Sequence, residues 1–137
     1  LKAVFESGAV YNLAFVDPFE ADTPGHAAMR ATLGNFTDSA STFLVAGWAS
    51  QYHLKGVLEA AIKGGDLTRA GIRRAAANVN VESAGMMPTR ELGQNRADAD
   101  SSIGIPDGSI PSGTRSLASR YVGKTAAAYD WTAGPCS

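Results

Sequence analysis

His26 and His53 are the two histidines of this chain, and Cys136 is its one cysteine. Imidazole and thiol are the side chains most readily recruited as bases, nucleophiles or metal ligands near neutral pH. The two histidines are far apart, and neither falls in a His-Glu-x-x-His spacing, which would set two ring nitrogens on one helix face around zinc. Cys136 has no histidine near it in sequence. A Gly-x-Ser-x-Gly nucleophile elbow and a phosphate-cradling Gly-x-x-x-x-Gly-Lys-Ser/Thr are both absent. Asp98 and Asp100 lie in a polar stretch, but no Asp-x-Asp-x-Asp-Gly loop with a closing glutamate accompanies them. No catalytic residue, metal site or cofactor is therefore assigned. An enzyme built on this chain would need a serine or threonine brought against His26 or His53.

The residues better placed for recognition are aromatic. Trp48 and Tyr52 are one helical turn apart in the stretch 42–63, Thr-Phe-Leu-Val-Ala-Gly-Trp-Ala-Ser-Gln-Tyr-His-Leu-Lys-Gly-Val-Leu-Glu-Ala-Ala-Ile-Lys. The spacing predicts one long helix, capped by Ser41 or Thr42 and ended by Gly64-Gly65. Leu54, Val57, Leu58, Ala61 and Ile62 form an apolar stripe in its second half, opposite Lys55, Glu59 and Lys63. Val45, Trp48 and Tyr52 project instead on the side of Lys55 and Glu59. Either the rest of the fold covers these aromatics, or they line a ligand cleft at the helix start, where free N–H groups attract anions.

The elements around this helix follow from local signals. Residues 9–16 read as a buried strand, followed by a loop at Asp17–Gly25 that contains prolines. Thr23-Pro24 opens a short helix to about residue 36, with Met29, Leu33 and Phe36 on one face. Lys2–Glu6 is short enough only to end a helix. Thr68 caps a further helix whose narrow apolar face is Ile72, Ala75, Ala76 and Val79, with Arg69, Arg73 and Arg74 solvated. Residues 80–115 are rich in Gly, Ser, Pro, Asp and Asn and read as irregular chain laid over a larger body. Thr114–Val122 alternates as a strand, and the tail forms at most one helical turn.

Composition narrows the function class. With 137 residues the chain is the size of one ordinary domain. A net charge of −1 without blocks of like charge leaves no footprint for nucleic acid or an anionic membrane surface. No apolar run approaches the ~20 residues of a membrane helix. The chain begins with Leu1 and carries no basic-then-apolar leader, so it is expected to be a processed product or a piece of something longer. An odd cysteine near the end has either no partner or a partner outside this chain.

Taken in order, the elements resemble a family. The strand ending in Asp17-Pro18-Phe19, an Ala-rich helix, a long helix with Gly47-Trp48 near its start, Gly-Gly-Asp-Leu-Thr-Arg, a second helix and Val81-Glu82-Ser83-Ala84-Gly85-Met86-Met87-Pro88 resemble the C-terminal part of the extracytoplasmic solute-binding proteins of ABC transporters. The branch is the leucine/isoleucine/valine-binding one, the type I periplasmic-binding-protein family. The ending Thr-Ala-Ala-Ala-Tyr-Asp-Trp-Thr-Ala-Gly-Pro-Cys looks like that of actinobacterial members.

The resemblance implies an α/β fold of two Rossmann-like lobes, of which this chain is the C-terminal third, helix-rich with few strands. Residues 1–22 would be a second-lobe strand and crossing, 23–79 first-lobe helices on a sheet formed upstream, and 80–137 a crossing, an irregular segment and a terminal strand. It implies no catalysis, but lobe closure over a small polar ligand such as an amino acid or amide. Trp48, Asp17, Phe19 and Tyr52 are the candidate ligand-binding residues. Asp17 reads equally as a turn residue before proline, and Phe19 as a packed loop aromatic. The implied partners are that ligand, the membrane subunits of the transporter, and either the absent N-terminal part or a second copy of the chain. The implied location is extracytoplasmic, lipid-anchored or secreted, with Cys136 paired outside the chain. The competing classes are an amidase- or hydrolase-like enzyme of a related α/β fold and a structural or regulatory module without a small ligand.

Overall fold

The computed structural model describes residues 2–34, 40–87, 90–91 and 100–130. Ten elements follow one another: α1 (Lys2–Glu6), β1 (Asn12–Ala14), α2 (Pro24–Leu33), α3 (Thr42–Lys63), α4 (Arg69–Asn78), β2 (Asn80–Val81), β3 (Arg90–Glu91), β4 (Asp100–Pro106), β5 (Thr114–Val122) and α5 (Lys124–Ala128). The fold is mixed α/β, with a helical half built from α2, α3 and α4 and an antiparallel sheet in the order β1-β4-β5.

Each helix of the helical half begins on a side chain that accepts a free N–H group. Thr23 Oγ1 accepts from the His26 amide at 3.3 Å, Ser41 Oγ from the Leu44 amide at 3.2 Å, and Thr68 Oγ1 from the Gly71 amide at 3.2 Å. Asp66 reinforces the last cap by accepting from the Thr68 amide and hydroxyl, and Arg74 pairs with Asp66. Arg74 is thus engaged rather than simply solvated. Helix α3 ends as its spacing predicts, with Gly65 at φ +69° in the left-handed region where a Cβ is costly. Helix α2 stops at Leu33 on Gly34 at φ +54°, and Phe36 lies outside the described residues.

The core gathers where α2, the first half of α3 and two connecting segments meet. Val16 and Phe19 come from the segment after β1, Met29 from α2, Val45 and Ala49 from α3, and Met86 and Met87 from the segment after β2. Leu33, Leu44, Trp48 and Tyr52 pack around this cluster, half-buried. The two aromatics that point away from the stripe of α3 are therefore partly covered by the protein's own core. In the second half of α3 the buried side rotates to Val57 and Ala61, against α4 and β2. A Cβ on Gly56 would stand 2.8 Å from Val81 Cγ2, so only glycine lets β2 come this close. Leu54, Leu58 and Ile62 remain exposed, and the stripe read from sequence is covered along one edge only.

Two expectations need correction. Residues 80–115 are not irregular throughout: Asp100–Pro106 is a seven-residue strand at the centre of the sheet. Its Ser, Gly and Pro residues have low strand propensity, and the ladder with β5 overrides it. The strand expected at 9–16 is only three residues long and is not buried, because among the described residues β1 pairs with β4 alone and no layer covers it. Leu13 is 68% exposed, and Phe15, just beyond the strand, 55%. Strand β5 spans the residues expected of it, yet Leu117 and Tyr121 also face solvent.

Candidate functional site

Helix α3 places Trp48 and Tyr52 together. They line an open groove of about 450 Å³ with Leu54 and Leu58, while Lys55 and Glu59, 3.7 Å apart, flank it. The groove is apolar along its length and carries one charge of each sign at its edge. Such a surface can hold an apolar body against the indole and phenol rings and a charged end against the ion pair.

The other two candidates lie elsewhere. Phe19 is buried in the core on which Trp48 and Tyr52 rest. Asp17 is also buried, and its Oδ1 accepts from Ser102 Oγ of β4. The structure thus brings Trp48 and Tyr52 into one groove, sets Phe19 beneath them, and places Asp17 on the sheet side. Cys136 and Asp98 lie outside the described residues. Asp100 faces Arg120, with 3.7 Å between Oδ2 and Nη1.

A polar cluster that the sequence did not announce surrounds Asp17. His26 is fully buried at the start of α2, and its Nδ1 is 2.8 Å from Thr23 Oγ1. Among the described residues its Nε2 meets no hydrogen-bond partner. Burial lowers the His26 pKa below its ordinary value, Asp17 pulls it back through backbone and carboxylate, and Arg30 and Arg120 add to the lowering. The imidazole is thus held neutral. Thr23 and His26 meet the spacing of a nucleophile–base pair, but the threonine oxygen is engaged as the cap of α2 and the ring is enclosed. A hydroxyl attacking a substrate needs an open side, which this pair lacks.

Arg30 and Arg120 fasten the connecting segments. Arg30 Nη1 donates to the carbonyls of Phe19 at 2.7 Å and Ala21 at 3.0 Å, tying the segment after β1 to α2. Arg120 Nη2 donates to the Gly85 carbonyl at 2.6 Å, tying β5 to the segment after β2. Glu20 accepts from the Ser112 amide at 2.9 Å and from its hydroxyl at 2.5 Å, linking the first segment to the turn between β4 and β5. The sequence offered no signal for these partners, since the bonds span nine to ninety-two residues.

No family model and no curated protein matches the chain. Among solved structures, the chain is similar to a fatty acid ABC transporter substrate-binding protein from Thermomonospora curvata, with a TM-score of 0.74 and 19% sequence identity. The match covers 87% of this chain and 32% of that one, so the chain spans about a third of the length of the protein it matches. At this identity the likeness establishes the fold. The chain has the α/β architecture of a part of a periplasmic-binding-protein-like fold, as the order of its elements implied.

Proposed function

We propose that this chain is the C-terminal portion of a solute-binding protein of an ABC transporter, which acts outside the cytoplasm by closing two lobes over a small ligand. The observation that carries this reading is the fold likeness, which extends over most of the chain. In this reading α2, α3 and α4 are helices of one lobe, β1, β4 and β5 belong to the other, and 15–23 and 82–87 are crossings between them. The exposed edge of α3, Leu54, Leu58 and Ile62, is then the side that packs on a sheet contributed by the rest of the protein.

Trp48 and Tyr52, toward the start of α3, are the proposed ligand-facing pair, since ligands of open α/β sheets lie beside helix starts. Phe19 supports them from the core, and Asp17 acts on the crossing rather than on the ligand. The ligand is a small molecule with an apolar body and a charged or polar end. An amino acid or amide meets that description. A fatty acid, named for the structural neighbour, meets it with a longer body.

Tryptophan fluorescence tests the reading, with leucine, acetamide and octanoate titrated into the complete protein that contains this chain. A saturable change with one of them, lost in Trp48→Phe, is the expected result. No saturable response to any of the three overturns the proposed ligand class, and chemical turnover of a bound amide overturns the non-catalytic reading.

A further inference from the structure

The ladder between β4 and β5 shifts register twice, between Ser101 and Ile103 and again between Ile103 and Gly104, and both connecting segments are tied at the first shift. Ser101 pairs with Tyr121 and Ile103 with Ala118, so two residues advance on β4 while three advance on β5. The extra residue makes a β-bulge opposite Ser102. Within it Arg120 has φ +56°, a left-handed conformation that is unfavourable for a side chain as large as arginine. The bulge re-aims two side chains out of the regular alternation. Ser102 Oγ reaches Asp17 in the segment after β1, and Arg120 reaches the Gly85 carbonyl in the segment after β2.

The second segment is shaped to receive that bond. Ala84 and Gly85 are consecutive left-handed residues, at φ +50° and +80°. The turn is fixed by the Gly25 amide donating to the Ala84 carbonyl at 2.9 Å and by Ser83 Oγ bonding both the amide and the carbonyl of Met87. Asp100 stands beside the guanidinium on its other side. Elements pack closely within each half, α3 on α4, α2 and β2, and β4 on β1 and β5. The two halves are joined through the segments and these polar ties.

We propose that the bulge at Ser102 and Arg120 is the pivot on which the two halves turn, with Ser102 and Arg120 as the positioning residues that each fasten one segment to the same point of the sheet. Its meaning as a closure hinge rests on the solute-receptor reading above. A side chain kept in a left-handed bulge spends conformational energy that a structural strand residue would not need to spend, and here that energy aims the guanidinium across the halves. The Glu20–Ser112 tie lies at the far hairpin turn and limits the swing without fixing its centre.

The test is a distance distribution between the halves within the complete protein that contains this chain, measured by double electron–electron resonance. Spin labels go on Ala77→Cys in α4 and Ser116→Cys in β5, both exposed positions, with Cys136→Ser removing the native thiol. Arg120→Gly accepts the positive φ and deletes the whole side chain, guanidinium included; Ser102→Ala deletes the other tie. The expected result is one narrow distribution for the parent and a broadened or split one for Arg120→Gly, with Ser102→Ala broadening it less. The melting temperature of the helical half is expected to stay put, which separates a pivot from a merely structural contact. If Arg120→Gly unfolds, Arg120→Lys is read in its place, since it keeps the charge and stem but lacks the fork. Unchanged distributions in Ser102→Ala and in the folded Arg120 variant overturn the proposal, as does broadening that only accompanies loss of helix. No ligand is present in this measurement, so failure of the pivot and failure of the solute-receptor reading are separate results.

Discussion

The helical half and the sheet use apolar residues in opposite ways. Met29, Val45, Ala49 and Met86 are fully buried, whereas Leu13, Leu117, Tyr121 and Val122 on the sheet are all exposed by more than two fifths of their surface. Both regions have regular backbone hydrogen bonding, so secondary structure does not separate them. What separates them is a second layer. The helical half folds two connecting segments into its own core, and among the described residues no element lies over either face of β1. A sheet of three strands gains stability from packing on another layer, and contiguous exposed apolar surface marks a place where other protein packs. The difference teaches that the chain contains one packed core beside apolar surface left open on the sheet and along Leu54, Leu58 and Ile62 of α3, which is the composition expected of a third of a larger two-lobed fold.

The contrast can be broken by truncation. Met29→Ala removes a side chain from the centre of the completed core and is expected to cost about 2–5 kcal/mol of unfolding free energy. Leu13→Ala on the sheet is expected to change it by less than about 0.5 kcal/mol. Urea unfolding followed by circular dichroism reads both, and equal losses would erase the distinction. The buried His26 sharpens it through pH. Its pKa is lower in the folded chain than the ordinary 6.5, so the unfolded chain binds the proton more readily. The stability it contributes is complete above about pH 6.5 and is lost as the pH falls below that value toward the folded pKa. His26→Gln is expected to flatten that acid limb of the melting temperature, and an unaltered limb would assign the acid sensitivity to other groups.

Smaller effects come from the helix starts. Thr68→Ala removes the cap of α4 and is expected to cost about 1 kcal/mol in urea unfolding, with Thr68→Ser restoring most of it. The surface pair on α3 marks the lower end. Lys55→Ala breaks the contact with Glu59, whose partners are both largely exposed, and is expected to change stability by no more than about 0.5 kcal/mol. A larger loss would mean that the groove edge is part of the packed core.

The sequence made some of this legible and hid the rest for physical reasons. Helix α3 was readable to the residue because Ser41 and Gly64-Gly65 punctuate it and twenty-two residues leave no other regular structure. Strand β5 was readable from its alternation, although alternation says which side chains share a face and not whether anything covers that face. Leu117 and Tyr121 share the predicted face and are exposed. Strand β4 was hidden because Ser, Gly and Pro outnumber its two isoleucines and only its partner strands hold it extended. At the candidate site, Trp48 and Tyr52 were found from helical geometry, a local rule. Phe19 was ambiguous because an aromatic after a strand looks the same whether it lines a cleft or fills a core. Arg120 and Ser102 were invisible because a bulge is a property of the register between two strands, and no single stretch of sequence records it.

The central claim is that the chain carries a layer built to be covered by other protein. Sedimentation velocity of the 137-residue chain over a wide concentration range tests it most directly. The account predicts a sedimentation coefficient that rises with concentration as exposed sheet and α3 surfaces meet, and a rise that is suppressed in a variant carrying Leu58→Glu and Leu117→Glu. A monodisperse monomer at every concentration would contradict it, and would describe a self-sufficient domain whose exposed apolar residues have no covering partner.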